Sequence, residues 1–215
     1  MSNEKEDLEN ENKVIFIGES GVGKTSLIKI SLGIKMDTQH IPTLTASFFP
    51  RHFFYNTQKY TFNLWDTIGQ EKYRSLTKLF FKDANIVILV YDITNRKSFE
   101  ALDFWLGQVK EGIGDDFILA IVGNKSDLYF QEEVTELQGK QYAEEKCANF
   151  KICSAKDNPA EFISFLEQLF EEYIIKIKKI PKIEPKGLTI KKKSLEEKKM
   201  LLNIYYFVNI INRFI

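Results

Sequence analysis

Short apolar runs recur along the chain, and most of the stretches between them carry apolar residues at helical spacing. The runs predict six strands: Lys13–Ile17, Ser47–Tyr55, Lys59–Trp65, Asn85–Tyr91, Phe117–Val122 and Ala148–Cys153. The second and third flank a polar turn, Asn56-Thr57-Gln58, and predict a hairpin. Pro50 cannot donate to an inner ladder, so Ser47–Tyr55 belongs at a sheet edge. Asn85–Tyr91 and Phe117–Val122 are apolar without alternation, as strands buried on both faces of a parallel sheet must be.

Helical periodicity predicts about five helices. They are Lys24 to about Leu32, the later part of Asp66–Asp83, a Thr94-capped helix through Phe99, Leu102, Phe104 and Val109, Val134–Lys146, and one from Pro159 to about Lys178. Gly33–Ala46 holds no period and is broken by Pro42, so it reads as a loop. Alternating strands and helices predict an α/β fold: a doubly wound, mostly parallel six-stranded sheet with one antiparallel edge strand. Such a sheet binds ligands at the C-terminal ends of its strands.

The first strand-to-helix junction shows which ligand. Gly18, Gly21, Gly23, Lys24 and Thr25 have the spacing G-x-x-x-x-G-K-[ST] of a phosphate-binding loop, between a strand and a helix. Glycines let backbone N–H groups turn inward around a phosphate, and the helix beginning at Lys24 offers its positive end to the same anion. The loop from Ser20 through Gly21, Val22 and Gly23 to Ser26 would wrap the phosphates of a nucleoside triphosphate. Lys24 would reach the β- and γ-phosphates, and Thr25 would bind Mg²⁺. The fold is thus expected to be that of a P-loop NTPase.

Composition refines this without changing it. The length of 215 residues suits one domain with tails, and 30 basic residues cancel 30 acidic ones, which gives no global field for nucleic acid. Residues 1–12 are acidic and too polar to bury a core, so they read as a disordered arm before a domain at 13–178. Residues 179–215 form a tail, lysine-rich to Lys199 and apolar from Met200. That tail is read as an interfacial segment on an anionic membrane surface, as a packed terminus, or as a non-native end. Cys147 and Cys153 have neither metal spacing nor a disulfide framework, and both are expected in the core of a protein from a reducing compartment. No leader pattern opens the chain and no run reaches the roughly 20 apolar residues of a span. A monomer in the cytosol, or on the cytosolic face of intracellular membranes, is expected.

Three further motifs follow strand ends. Asn124-Lys125-Ser126-Asp127 and Ser154-Ala155-Lys156 resemble the N-K-x-D and S-A-K segments with which small GTPases read guanine. The resemblance implies that Asp127 accepts hydrogen bonds from the guanine ring N–H and amine. Trp65-Asp66-Thr67-Ile68-Gly69-Gln70-Glu71 resembles the family's W-D-T-A-G-Q-E. It implies that Asp66 holds Mg²⁺ through water, that Gly69 approaches the γ-phosphate and that Gln70 orients the attacking water. Thr43, after Pro42, matches the threonine that ligates Mg²⁺ in the triphosphate state.

Within that superfamily the chain looks most like a Rab-type GTPase. The segments that carry this are Lys72-Tyr73-Arg74-Ser75-Leu76-Thr77, Phe80-Phe81-Lys82-Asp83-Ala84 and Val87-Ile88-Leu89-Val90-Tyr91-Asp92. Phe48, Trp65 and Phe80 fall where Rab proteins keep an aromatic triad. The resemblance implies GTP and GDP as ligands, and an exchange factor, a GTPase-activating protein and effectors as partners of the triad and switch loops. It also implies a role in vesicle traffic. The sequence departs from the pattern at Ile68, Met36, His40 and Thr45, and in ending without cysteines that carry prenyl groups. These departures keep open a second reading, a nucleotide-dependent interaction protein with impaired hydrolysis. An ATP-driven enzyme is opposed by Asp127.

Overall fold

The computed structural model describes residues 11–35, 43, 47–67 and 80–179. Six strands form one sheet: β1 Glu11–Ile17, β2 Ser47–Tyr55, β3 Gln58–Asp66, β4 Ile86–Asp92, β5 Ile118–Asn124 and β6 Asn149–Ile152. Their order is β2-β3-β1-β4-β5-β6. Only the β2–β3 pairing is antiparallel, which leaves β2 at the edge that Pro50 requires. β4 and β5 are buried along their whole length, as their unbroken apolar runs predict.

Five α-helices lie among the described residues: α1 Lys24–Ser31, α2 Arg96–Glu100, α3 Leu102–Ile113, α4 Glu136–Glu145 and α5 Pro159–Lys179. Successive residues of a strand face opposite sides, so β1 feeds two cores. Val14 and Phe16 pack with Leu27 and Ile28 of α1 and Phe162, Leu166 and Phe170 of α5. Ile15 and Ile17 pack with Leu102, Trp105 and Val109 of α3 and Ala143 of α4. Helices therefore cover both faces, which is the doubly wound α/β arrangement expected. Arg51 ties the edge strand to this frame through an ion pair with Glu167 of α5, at 2.6 Å.

The structure corrects several local expectations. β1 begins at Glu11, two positions before Lys13. The hairpin turn is Asn56-Thr57 alone, because Gln58 already pairs with Tyr55. Both turn residues have positive φ, 46° and 68°, the twist that joins two strands in two residues. Thr94 is not a helix cap; its N–H and hydroxyl both donate to Asp92 Oδ1, at 2.9 and 2.8 Å. Asn95 caps instead, its side chain accepting from the Ser98 N–H, and the helix splits at Ala101 into α2 and α3. The helix expected within Asp66–Asp83 lies largely outside the described residues.

The cysteines part company. Cys153 is 1% exposed, and burial pushes its thiol up to about 12. Cys147 is exposed, in a left-handed position at φ 54° after α4, so it is not a core residue. A maleimide or disulfide reagent at pH 8 is expected to label one thiol per native chain within minutes and the second only after denaturation, since thiolate is the reactive form. Mass spectrometry should place the fast label on Cys147; rapid labelling of Cys153 would contradict the packing at the end of β6.

Candidate functional site

The loop after β1 has a backbone that few residues other than glycine could adopt. Gly18 has φ 146°, and a Cβ there would meet the Val90 carbonyl oxygen of β4 at 2.1 Å. Gly23 has φ 99°, and a Cβ there would meet the Asn124 side-chain nitrogen at 2.2 Å. The loop is thus seated against β4 on one side and the end of β5 on the other. Ser20 and Gly21 are exposed, Val22 is buried, and Ser26 is partly covered. No side chain among the described residues caps α1, which leaves its first N–H groups to an anion.

Lys24 is folded back into this loop. Its ammonium donates to the carbonyls of Gly18 and Glu19, both at 2.8 Å, and the residue is 6% exposed. Burial lowers its pKa to about 8, against the opposing pull of Asp66 and Glu19. A buried cation that, among the described residues, hydrogen-bonds to neutral carbonyls is a strong receptor for phosphate oxygens.

Beside it, three oxygen donors meet. The Thr25 hydroxyl donates to Asp66 Oδ2 at 2.7 Å and lies 2.9 Å from the Thr43 hydroxyl. Asp66 is 2% exposed, and its Oδ1 is buried with no hydrogen-bond partner among the described residues. Burial raises its pKa, while the Thr25 hydroxyl and the Lys24 ammonium act the other way. A carboxylate and two hydroxyls fit a hard, oxygen-seeking cation such as Mg²⁺, and the orphaned Oδ1 is an acceptor that such an ion or its water would satisfy. Thr67 is anchored next door, its hydroxyl donating to the Phe16 carbonyl at 2.5 Å. Gly69, Gln70 and Ile68 lie outside the described residues, as do Met36, His40 and Thr45.

The Asn124–Asp127 and Ser154–Lys156 motifs join the same site. Asn124, 2% exposed at the end of β5, donates to the Val22 carbonyl at 2.9 Å and accepts the Ala155 N–H at 3.2 Å. It therefore ties the phosphate loop to the Ser154-Ala155-Lys156 loop. Lys125 sits in the left-handed region at φ 68° and pairs with Asp92 Oδ2 at 2.6 Å. The Ser154 hydroxyl donates to Asp127 Oδ1 at 2.6 Å and accepts the backbone N–H groups of Lys156 and Asp157 at 3.1 and 3.0 Å. Lys156 itself is exposed, and among the described residues no donor takes the second oxygen of Asp127.

The aromatic residues form a surface row across the hairpin. Phe48 stacks on Trp65 with centroids 5.2 Å apart, Phe80 lies 6.4 Å beyond Trp65, and the Lys13 ammonium is 4.3 Å from the Trp65 ring. Phe48 is 54% exposed. Reading by motif misses Asp92, Glu19 and Trp105. Asp92 ends a buried strand at the ligand edge of the sheet, which is the signal that would have found it; Trp105 is indistinguishable in sequence from a core aromatic.

A phosphate loop, a carboxylate–hydroxyl corner and an Asp–Ser pair at the strand ends define a guanine-nucleotide-binding P-loop protein. The profile of the Ras family matches residues 13–179, and the chain belongs to that family. Within it the chain is a Rab-type small GTPase. It is 37% identical over 158 residues to the Ras-related protein Rab-21 of Homo sapiens, covering 74% of this chain and 68% of that one. Rab-21 of Bos taurus is likewise 37% identical, over 74% of this chain and 69% of its own. Rab-21 of Geodia cydonium is 37% identical over 155 residues, 72% and 68% of the two chains.

Proposed function

We propose that the protein hydrolyses GTP at a slow intrinsic rate and so alternates between two binding surfaces in intracellular vesicle traffic. The observation that carries this is the contact of Thr43 with Thr25 and Asp66 in one corner, 2.9 and 2.7 Å from the Thr25 hydroxyl. Thr43 belongs to the loop between α1 and β2, whereas Thr25 and Asp66 belong to the frame. A ligand that uses all three therefore sets the position of that loop. Mg²⁺, when bound, would neutralise phosphate charge at this corner. Lys24 would hold the β- and γ-phosphates, Gly69 would give its N–H to the γ-phosphate, and Gln70 would orient water for in-line attack. Loss of the γ-phosphate would release the loops bearing Thr43, Gly69 and Gln70.

Phe48, Trp65 and Phe80, with those loops, would then present the surface read by effectors, an exchange factor and a GTPase-activating protein. The domain at 13–178 would do this work between an acidic arm and the lysine-rich, apolar tail, which would meet an anionic membrane surface. The site would be cytosol and the cytosolic face of intracellular membranes; no helix among the described residues is long and apolar enough to cross a membrane.

Single-turnover hydrolysis of GTP, with release of a fluorescent GDP analogue in parallel, tests the reading. An intrinsic rate on the order of 10⁻⁴ to 10⁻³ per second is expected. Gln70→Leu should abolish it, and Ile68→Ala should raise it by removing bulk beside the γ-phosphate. Tight GTP binding with no turnover, unimproved by Ile68→Ala, would leave a nucleotide-dependent interaction protein in place of a cycling enzyme.

A further inference from the structure

Trp105 has the bulkiest of the fully buried side chains and is 1% exposed. It lies on α3, and most of its ring fills the core on that face of the sheet. One atom of it does something else. The indole N–H donates to Glu19 Oε1 at 3.0 Å, joining α3 to the second residue of the phosphate loop. Glu19 is held at its other end as well, because its backbone carbonyl accepts the Lys24 ammonium at 2.8 Å.

A glutamate in a phosphate loop is an electrostatic liability. Its carboxylate carries the same sign as the ligand, and it is one of the charges that act on Lys24. Left to rotate, it could pair with the ammonium that the phosphates need. The core on the α3 side of the sheet is distinct from the one against which α1 packs, so the bond to Trp105 directs the carboxylate toward the α3 side.

We propose that Trp105 is a positioning residue for nucleotide retention: its indole N–H holds the Glu19 carboxylate aside, so that Lys24 is left to the phosphates. The proposal rests on the reading of this loop as the nucleotide site. It makes Trp105 act through Glu19, and that dependence separates it from a purely structural role.

The test measures dissociation of a fluorescent GDP analogue from the full-length chain, with thermal melting as a check on folding. Trp105→Phe keeps an aromatic ring and removes the donor; it should speed release roughly tenfold, the worth of one hydrogen bond to a charged group. Glu19→Gln alone should release no faster than the unsubstituted chain, because the amide oxygen still accepts from the indole and the charge that opposes phosphate is gone. Adding Glu19→Gln to Trp105→Phe should bring release most of the way back, since the side chain that has lost the indole no longer repels phosphate.

A merely structural tryptophan predicts the opposite, namely that the double variant releases as fast as Trp105→Phe or faster, and that result overturns the proposal. So does a Trp105→Phe chain that melts lower but releases at the unsubstituted rate. Should Trp105→Phe fail to fold, Glu19→Asp takes its place: the shorter carboxylate keeps its charge, loses its reach to the indole and must speed release. If it does not, the proposal fails. An unsubstituted chain that takes up no GDP analogue would overturn the nucleotide reading itself, whereas binding with no effect of these variants overturns this inference alone.

Discussion

Asp127→Asn is expected to lower affinity for GTP and GDP by about 10⁴-fold and to create a preference for xanthine nucleotides. A site built to pair a polar group of its ligand rejects the analogue that lacks it by this order of magnitude, equivalent to about 5.5 kcal/mol. The structure says which way the new amide must turn. The Ser154 hydroxyl accepts two backbone N–H groups, from Lys156 and Asp157, so its own hydrogen goes to residue 127. The introduced amide must offer its oxygen to that hydrogen, and its NH₂ is left facing the base. Guanine presents donors there and is repelled; xanthine presents a carbonyl and is accepted. Competition binding with GTP, ATP and XTP on both forms checks this, and equal affinity of the unsubstituted chain for ATP and GTP would end the guanine reading.

Asn124→Ala is the second large effect expected, and it is structural before it is functional. The substitution strips partners from the Val22 carbonyl and the Ala155 N–H, two backbone groups held by a side chain only 2% exposed. Each unsatisfied buried group costs about 1–3 kcal/mol, so a loss of about 2–4 kcal/mol is expected. In a chain of this size that lowers the melting temperature by roughly 5–10 °C. Because the lost bonds join the phosphate loop to the Ser154 loop, release of bound nucleotide should accelerate as well. Melting curves with and without GDP, with stopped-flow release, measure both; unchanged stability would mean that water replaces the amide.

Most of the sheet was legible in the sequence because its signals are redundant. β4 and β5 are apolar at every position, and nothing but a doubly covered parallel strand satisfies that; Pro50 alone placed β2 at the edge. The glycines of the loop after β1 were legible for a different reason: at Gly18 and Gly23 a Cβ would collide with the Val90 carbonyl and the Asn124 side chain. What failed was local and set by competition among polar groups. Thr94 looks like a cap, but Asp92 at the end of β4 outbids the helix for its hydroxyl and leaves the role to Asn95. Cys147 looks like a core residue, but it falls at a left-handed position where α4 stops, and that turn leaves its side chain exposed. The Trp105–Glu19 bond spans 86 positions and joins two residue types that are unremarkable apart; no local pattern encodes it.

The two tryptophans also make the molecule its own optical instrument. Trp65 lies in the surface aromatic row, half-buried and under a lysine ammonium, so its emission belongs to a polar, solvent-touched indole. Trp105 is sealed in the core and bonded to the phosphate loop, so its emission belongs to an apolar site. With 2 tryptophans in the chain, the long-wavelength edge of the spectrum follows the outer surface and the short-wavelength edge follows the loop. Events at the aromatic row and at the phosphate loop can thus be timed against each other in one unlabelled sample.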